Sequence, residues 1–341
     1  MNIEPKLFDW DNPNGPQWVV PQLSKGELDD LFEMLVMFVG HDPKDPQRVV
    51  VLGTGFLVGV ADTLVVLSAA HIFSWWTDQV LPPKRHALRG LDGDKEDFLT
   101  RMKSVIVNRN IMACVTPRGA SSGSVHPLVG FSFNQNPLDG DAAIIQLGLA
   151  AKTDPFKFRT LPIDADPFDF RDVVMMAGFT GSHRELLRGE EPFEAGLHPQ
   201  ELTVRVGRVG ERVNEPDGFR KPMYRVNIPS LAGMSGGPLI VFRQTGLEEY
   251  SLTTAAGVIS RSRLAPAILL DHCHEGETWV APIDEALTRK VNIEGKLSML
   301  CDAIHAGRIE AHGRVAGGVE WVKDEAGVLN PRWRKETNTP E

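Results

Sequence analysis

Gly233-Met234-Ser235-Gly236-Gly237-Pro238-Leu239 sets one serine among three glycines and runs into an apolar segment. Glycine reaches positive φ and admits close backbone approach, so this turn can aim successive N–H groups inward. The N–H groups of Gly233 and Ser235 are the candidate donors to a developing oxyanion. A serine hydroxyl is a weak nucleophile and needs a base held nearby. Two other segments offer partners. Ser68-Ala69-Ala70-His71-Ile72 ends a β-branched run on a histidine, and Gly140-Asp141-Ala142-Ala143-Ile144-Ile145-Gln146-Leu147 opens an apolar run on an aspartate. Nucleophile, base and orienting acid come from three separate segments, as the triad logic requires. Taken singly, a serine in a glycine-rich turn is an ordinary turn and His71 an ordinary structural histidine; only the joint pattern carries chemistry.

Working outward, residues 1–22 are rich in Pro, Asn and Asp and read as an extended arm. Ser24-Lys25-Gly26-Glu27 is a capping box, with Leu23 and Leu28 as its hydrophobic staple. Leu28, Leu31, Phe32, Leu35, Val36 and Val39 follow at helical spacing, and Gly40 fits the position after the last turn. This predicts one amphipathic helix to Val39, turned to the core or offered to a regulatory protein partner. From Arg48 the pattern becomes β. Val49–Leu52, Phe56–Val60, Leu64–Leu67, Ser104–Val107, Ile111–Val115, Ala142–Leu147, Val173–Ala177, Leu202–Val213, Tyr224–Ile228, Leu239–Phe242, Ala255–Ile259 and Trp279–Ala281 read as strands, punctuated by Gly and Pro. So many short strands predict an all-β barrel or sandwich. Residues 181–200 read as a surface loop, the chain turns helical from Ile283, and 325–341 read as frayed. No internal repeat is detectable.

Five boxes, in this order, resemble those of the trypsin-like (chymotrypsin-fold) serine peptidases, bacterial intracellular type. They are Gly53-Thr54-Gly55-Phe56, Ala69-Ala70-His71, the Asp141 strand, Ala177-Gly178-Phe179, and the Ser235 box followed by Ala256-Gly257-Val258-Ile259-Ser260. The resemblance spans roughly 48–290. It implies two antiparallel six-stranded β-barrels with the site between them, an N-terminal helix and a short helical C-terminal tail. It divides the chain into an arm and helix (1–47), a peptidase domain (48–290, with an insertion at about 75–130) and a tail (291–341). Residue by residue, it implies that Ser235 attacks the scissile carbonyl, His71 moves the proton and Asp141 orients the imidazole. Gly233 and Ser235 form the oxyanion hole, Ser260 supports Asp141, and the backbone of Ser260, Arg261 and Ser262 pairs with a protein or peptide substrate. Two positions depart from the digestive members. Met234 replaces the aspartate that pairs with a newly cut N-terminus, and Pro229, at the pocket base, carries no acid. The other reading is a catalytically silent module of this fold that binds proteins within a complex.

Composition narrows the setting. A net charge of -9 over 341 residues argues against a nucleic-acid partner, and Lys84, Arg85 and Arg89 read as a solvated loop. Three cysteines, Cys114, Cys273 and Cys301, are an odd and widely spaced set that does not suggest a disulfide framework. No secretory signal is recognisable and no apolar run is long enough to span a membrane; a cytoplasmic protein is expected. Asp271-His272-Cys273-His274, even with Cys301 and His305, lacks zinc-ligand spacing and reads as a polar loop. Trp75-Trp76 reads as packing against the barrel. No metal and no cofactor are expected.

Overall fold

A computed structural model describes residues 2–3, 18–42, 44–81, 93–120, 123–134, 137–149, 157–164, 173–180, 202–214, 219–244, 250–263, 277–312, 319–323 and 329–333. The first barrel consists of β1 (Leu35–Asp42), β2 (Asp45–Val60), β3 (Thr63–Ala69), β4 (Ile111–Val115), β5 (Ser124–Ser132) and β6 (Ala142–Gly148). It closes in the order β1-β2-β3-β6-β5-β4, with every pairing antiparallel. The second consists of β7 (Val173–Phe179), β8 (Leu202–Val213), β9 (Met223–Val226), β10 (Pro238–Gln244), β11 (Tyr250–Arg263) and β12 (Glu277–Pro282). It closes in the same order, β7-β8-β9-β12-β11-β10. Two closed six-stranded antiparallel barrels with this repeated connectivity are the trypsin-like all-β fold. Closure removes the sheet edges that an open sheet of such apolar strands would expose.

The sequence explains the bends. β2 pairs Phe38 with Gly53 and Val39 with Val51, so Leu52 is the extra residue of a bulge. β8 shifts register between Val209 and Glu211, at Gly210, and so continues as one bent strand. The first barrel and the surfaces packed on it share a continuous core that includes Phe38, Phe56, Leu64, Leu67 and Ile144. Val174, Met176, Tyr224, Val226, Leu239, Ile259 and Val280 form a second cluster. Each large side chain so buried contributes about 1.5–3 kcal/mol.

Several elements differ from expectation. The capping box forms: the Ser24 N–H donates to Glu27 Oε2 (2.8 Å) and the Glu27 N–H donates to Ser24 Oγ (3.3 Å). The helix it starts, α1 (Lys25–Met34), nevertheless stops where β1 begins. Leu35–Val39 is an unbroken apolar run that fits either period, and pairing with β2 and β4 on both sides decides for strand. Leu31–Val39 are all buried, so this stripe is spent on the chain's own core. Ser104–Val107 is not a strand but the end of helix α3 (Gly93–Val107). Met102 and Val105, three apart, are fully buried while Val107 is exposed, which is a helical pattern. The stretch 75–130 is not all insertion, because it holds β4 and most of β5, two strands of the closed barrel. The same stretch holds the rest of α2 (Ala70–Val80) and α3.

The tail is mixed. Short helices α4 (Asp284–Leu287) and α5 (Leu300–His305) flank a hairpin of Lys290–Ile293 with Lys296–Met299, and Val319–Lys323 pairs with Leu329–Trp333 inside the region expected to fray. The arm is pinned at two points, Asn2–Ile3 on β11 and Trp18–Val19 on β8. Residues 181–200, Lys84, Arg85, Arg89 and the 271–274 cluster lie outside the described residues. Among the described residues no helix is long and apolar enough to cross a membrane.

Candidate active site

Strand pairing sets His71 and Asp141 side by side. β3 and β6 are neighbours whose last pair is Ala69 with Ala142, and the Ala70 N–H donates to the Asp141 carbonyl (2.6 Å). The next residue out on β3 is therefore level with the residue before β6. His71 is the second residue of α2, its N–H donating to Asp141 Oδ1 (2.9 Å) and its Nδ1 lying 2.8 Å from Asp141 Oδ2. Ser260 Oγ, from β11 of the other barrel, also donates to Asp141 Oδ2. Asp141 is thus a carboxylate with three donors, its side chain 1% exposed, while the His71 side chain keeps 35% exposure. Burial opposes the imidazolium, but the Asp141 charge and hydrogen bond outweigh it together with the weaker repulsion from Arg261, and the His71 pKa is raised above 6.5.

Ser235 sits in the turn before β10. Gly233 has φ +97° and Gly236 φ +85°, conformations that favour glycine. A Cβ on Gly233 would come within 2.5 Å of the Phe179 carbonyl oxygen, and one on Gly236 would collide with the Thr54 carbonyl and the Ser68 hydroxyl. Behind the turn, the Gly236 N–H donates to Ile259 O (2.7 Å) and the Gly237 N–H to Met234 O (2.9 Å). Neither the Gly233 nor the Ser235 N–H has an acceptor among the described residues. Gly233 lines, with His71, Ile72, Trp75 and Gln79, a cleft of about 440 Å³. The Ser235 hydroxyl donates to the Ser260 carbonyl (3.3 Å) and makes no hydrogen bond to His71.

The predicted residues therefore converge with one bond unmade. His71 and Ser260 are both joined directly to Asp141; Ser235 reaches Ser260 but not His71. β11 continues beyond its last pairing with β10 (Val258 with Pro238), and among the described residues Arg261 and Ser262 pair only with Trp279 and Thr278 of β12. Its other edge is the one assigned to a substrate strand. Pro229 is buried, its carbonyl accepting from Arg205 Nη1 (2.6 Å), and the Arg205 guanidinium stacks over Trp18 at 4.4 Å. The tryptophan pair divides in exposure: Trp76 is buried, its Nε1 donating to Asn110 O (3.0 Å), whereas Trp75 is 49% exposed, and both line the cleft. Among the described residues no group of three or more His, Cys, Asp or Glu could hold a metal ion.

Two contributors carry no role in the sequence reading. Thr54 Oγ1 donates to the Gly233 carbonyl (2.7 Å) and accepts from the Phe179 N–H (2.9 Å), while the Thr54 N–H donates to the Ser235 carbonyl (2.7 Å). One β2 residue of the first barrel thereby fixes the Ser235 turn of the second. Its place in Gly53-Thr54-Gly55-Phe56 was the available signal. Glu285 of α4 is the other: its Oε2 accepts from the Ala142 N–H (3.4 Å) behind Asp141. No local motif marks it.

The chain is thus a double-barrel protein of the trypsin-like fold with a Ser, a His and an Asp at the junction of its barrels. No family model matches the sequence, and no curated protein matches it. Among solved structures it is similar to the Rv3671c protease from M. tuberculosis in its active form, at 18% identity and a TM-score of 0.40, over 80% of this chain and 89% of that one.

Proposed function

We propose that this chain is a serine endopeptidase that hydrolyses peptide bonds of a restricted protein substrate through an acyl-enzyme. The observation that carries the reading is the joint placement around Ser235 of the His71–Asp141–Ser260 network and two N–H groups with no acceptor among the described residues. Ser235 Oγ attacks the scissile carbonyl as His71 Nε2 takes its proton, and the Gly233 and Ser235 N–H groups receive the oxyanion. Collapse breaks the C–N bond, and His71 returns the proton to the departing amine. Water then attacks the ester with His71 again as base, releasing the acid and regenerating Ser235. No metal or cofactor enters these steps. Arg205 behind Pro229 puts positive charge under the pocket base, which disfavours a basic P1 residue.

The unmade Ser235–His71 bond favours a gated enzyme, in which a loop, a partner or the substrate turns the hydroxyl from Ser260 to His71. Catalytic hydrogen bonds often tighten only once substrate binds. Gating suits a protease of the bacterial cytoplasm acting in a stress or defence pathway, where unrestricted hydrolysis would be toxic. The same bond supports the second reading, a protein-binding module with an idle triad. A fluorophosphonate probe separates the two. Labelling of Ser235 in wild type but not in Ser235→Ala supports the enzyme; no labelling with or without cell extract sinks it. A Ser235→Ala trap then recovers substrate under the first reading and only constitutive partners under the second.

A further inference from the structure

A second cavity, about 500 Å³, lies behind the Asp141 turn, lined by Arg212, Lys221, Asp139, Asp284, Glu285 and Arg289 among others. We propose that it binds a small molecule through a phosphate or carboxylate held by Lys221, Arg212 and Arg289, and that Glu285 reports its occupancy to the Asp141 turn.

Charge favours an anion. Lys221 has no hydrogen bond or ion pair among the described residues. Arg289 Nη1 donates to Asn134 Oδ1 (2.9 Å), but its Nε is buried without a partner. Arg212 lies 3.8 Å from Asp284, a loose pair. Asp139 is held by Arg220 at 3.0 Å. Among the described lining residues Arg212, Lys221 and Arg289 balance Asp139, Asp284 and Glu285, and the balance turns positive by one charge when Glu285 is protonated. Arg289 Nε, a buried donor without a partner, is suited to an anion's oxygen, and Glu285 Oε1, a buried acceptor without one, is suited to the proton that an anion would draw in.

Geometry supplies the link to the triad. Glu285 Oε2 bonds the Ala142 N–H on one side of Asp141, and a Cβ on Gly140, on the other side, would lie 2.9 Å from the same oxygen. Asn134, held by Arg289, donates to the Asp139 carbonyl (2.6 Å). Two cavity residues therefore brace the turn that presents Asp141. Glu285 faces Asp141 and Asp139 from the turn, Asp284 on its own helix, Arg289 just beyond it, Arg212 on β8 and Lys221 before β9. Burial, with smaller help from the Asp141 and Asp284 charges, pushes its pKa to about 7, against the pull of the Ala142 bond and Arg289. A bound anion adds negative charge, raises that pKa further and draws in a proton near neutrality.

The test is calorimetric titration of the full chain with sulfate and, separately, succinate; sulfate mimics a phosphate group without titrating near pH 7. A one-unit rise on binding predicts affinity about tenfold weaker well above pH 7 than well below it, with proton uptake at pH 7. Lys221→Met is expected to weaken binding at least about tenfold, and Glu285→Gln to bind with neither proton uptake nor pH dependence. On saturation, the low-field Nδ1–H resonance of His71 shifts. Sulfate alone binding assigns a phosphate-type ligand, succinate alone a carboxylate. No binding by either probe overturns the proposal. So does undiminished binding by Lys221→Met, proton uptake that persists in Glu285→Gln, or a His71 resonance that stays unmoved. No arm measures hydrolysis, so failure here is distinct from failure of the endopeptidase reading.

Discussion

Thr54→Val replaces a hydroxyl with a methyl of nearly equal size, so the packing changes little and the hydrogen bonds change completely. In the wild type the buried Oγ1 satisfies two backbone groups of the second barrel, the Gly233 carbonyl and the Phe179 N–H. Neither gains a new partner when the oxygen is removed. Each buried, unpaired group costs about 1–3 kcal/mol, so the variant should lose about 2–6 kcal/mol. That is a large part of the roughly 5–15 kcal/mol that holds an ordinary protein folded. The loss falls on contacts between the barrels and on the Ser235 turn itself. Misplacement there of about 1 Å predicts a fall in kcat of the order of 10²-fold. Urea unfolding followed by tryptophan fluorescence gives the stability, and hydrolysis of a labelled substrate gives the rate. Thr54→Ser keeps the hydroxyl and is the control; its expected loss is about 1 kcal/mol, one methyl's worth. A Thr54→Val protein within 0.5 kcal/mol of wild type, with unchanged kcat, would refute the assignment of Thr54 as the link between barrels.

Three further outcomes are expected. On the proposed reading His71 must be neutral to accept the Ser235 proton, and its pKa is raised, so kcat/KM should climb with pH through a midpoint above the ordinary histidine value, and Asp141→Asn should lower that midpoint and cut the rate by about 10⁴-fold; a limb unmoved by the substitution would deny Asp141 its role. Glu285 titrates near 7 folded and near 4.5 unfolded, so between those values the folded chain binds more protons and stability falls as pH rises; urea midpoints of Glu285→Gln should show a flatter decline across that window. The Cys114 thiol, buried and pushed up to about 12, should resist alkylation at pH 8 in the native state and react on denaturation, as peptide mass mapping would report.

What the sequence revealed and what it hid divide along physical lines. The Gly233–Gly237 turn was readable because a backbone forced to φ +97° and +85° leaves glycine in the sequence as its trace. His71 and Asp141 were readable because each adjoins an apolar strand run whose end is easy to see. Leu35–Val39 was misread as helix because residues buried on both faces of a barrel wall lose the alternation that distinguishes strand from helix. Val105 stood in a β-branched run, and only the packing of α3 reveals its helical phase. The work of Thr54 and Glu285 was hidden for another reason. Their partners lie 179, 125 and 143 residues away, and nothing local distinguishes a threonine that joins two barrels from one that fills a strand.

The split of the site between two barrels also orders it in time. His71 and Asp141 belong to the half that is synthesised first, whereas Ser235 and Ser260 belong to the half that follows, whose last strand ends only at Pro282. Domains fold in the order in which they are synthesised. On the proposed reading, a growing chain thus holds a base with nothing to deprotonate until its second barrel has left the ribosome and closed. Hydrolysis is withheld from neighbouring nascent chains by the layout of the fold alone, with no removable propeptide required.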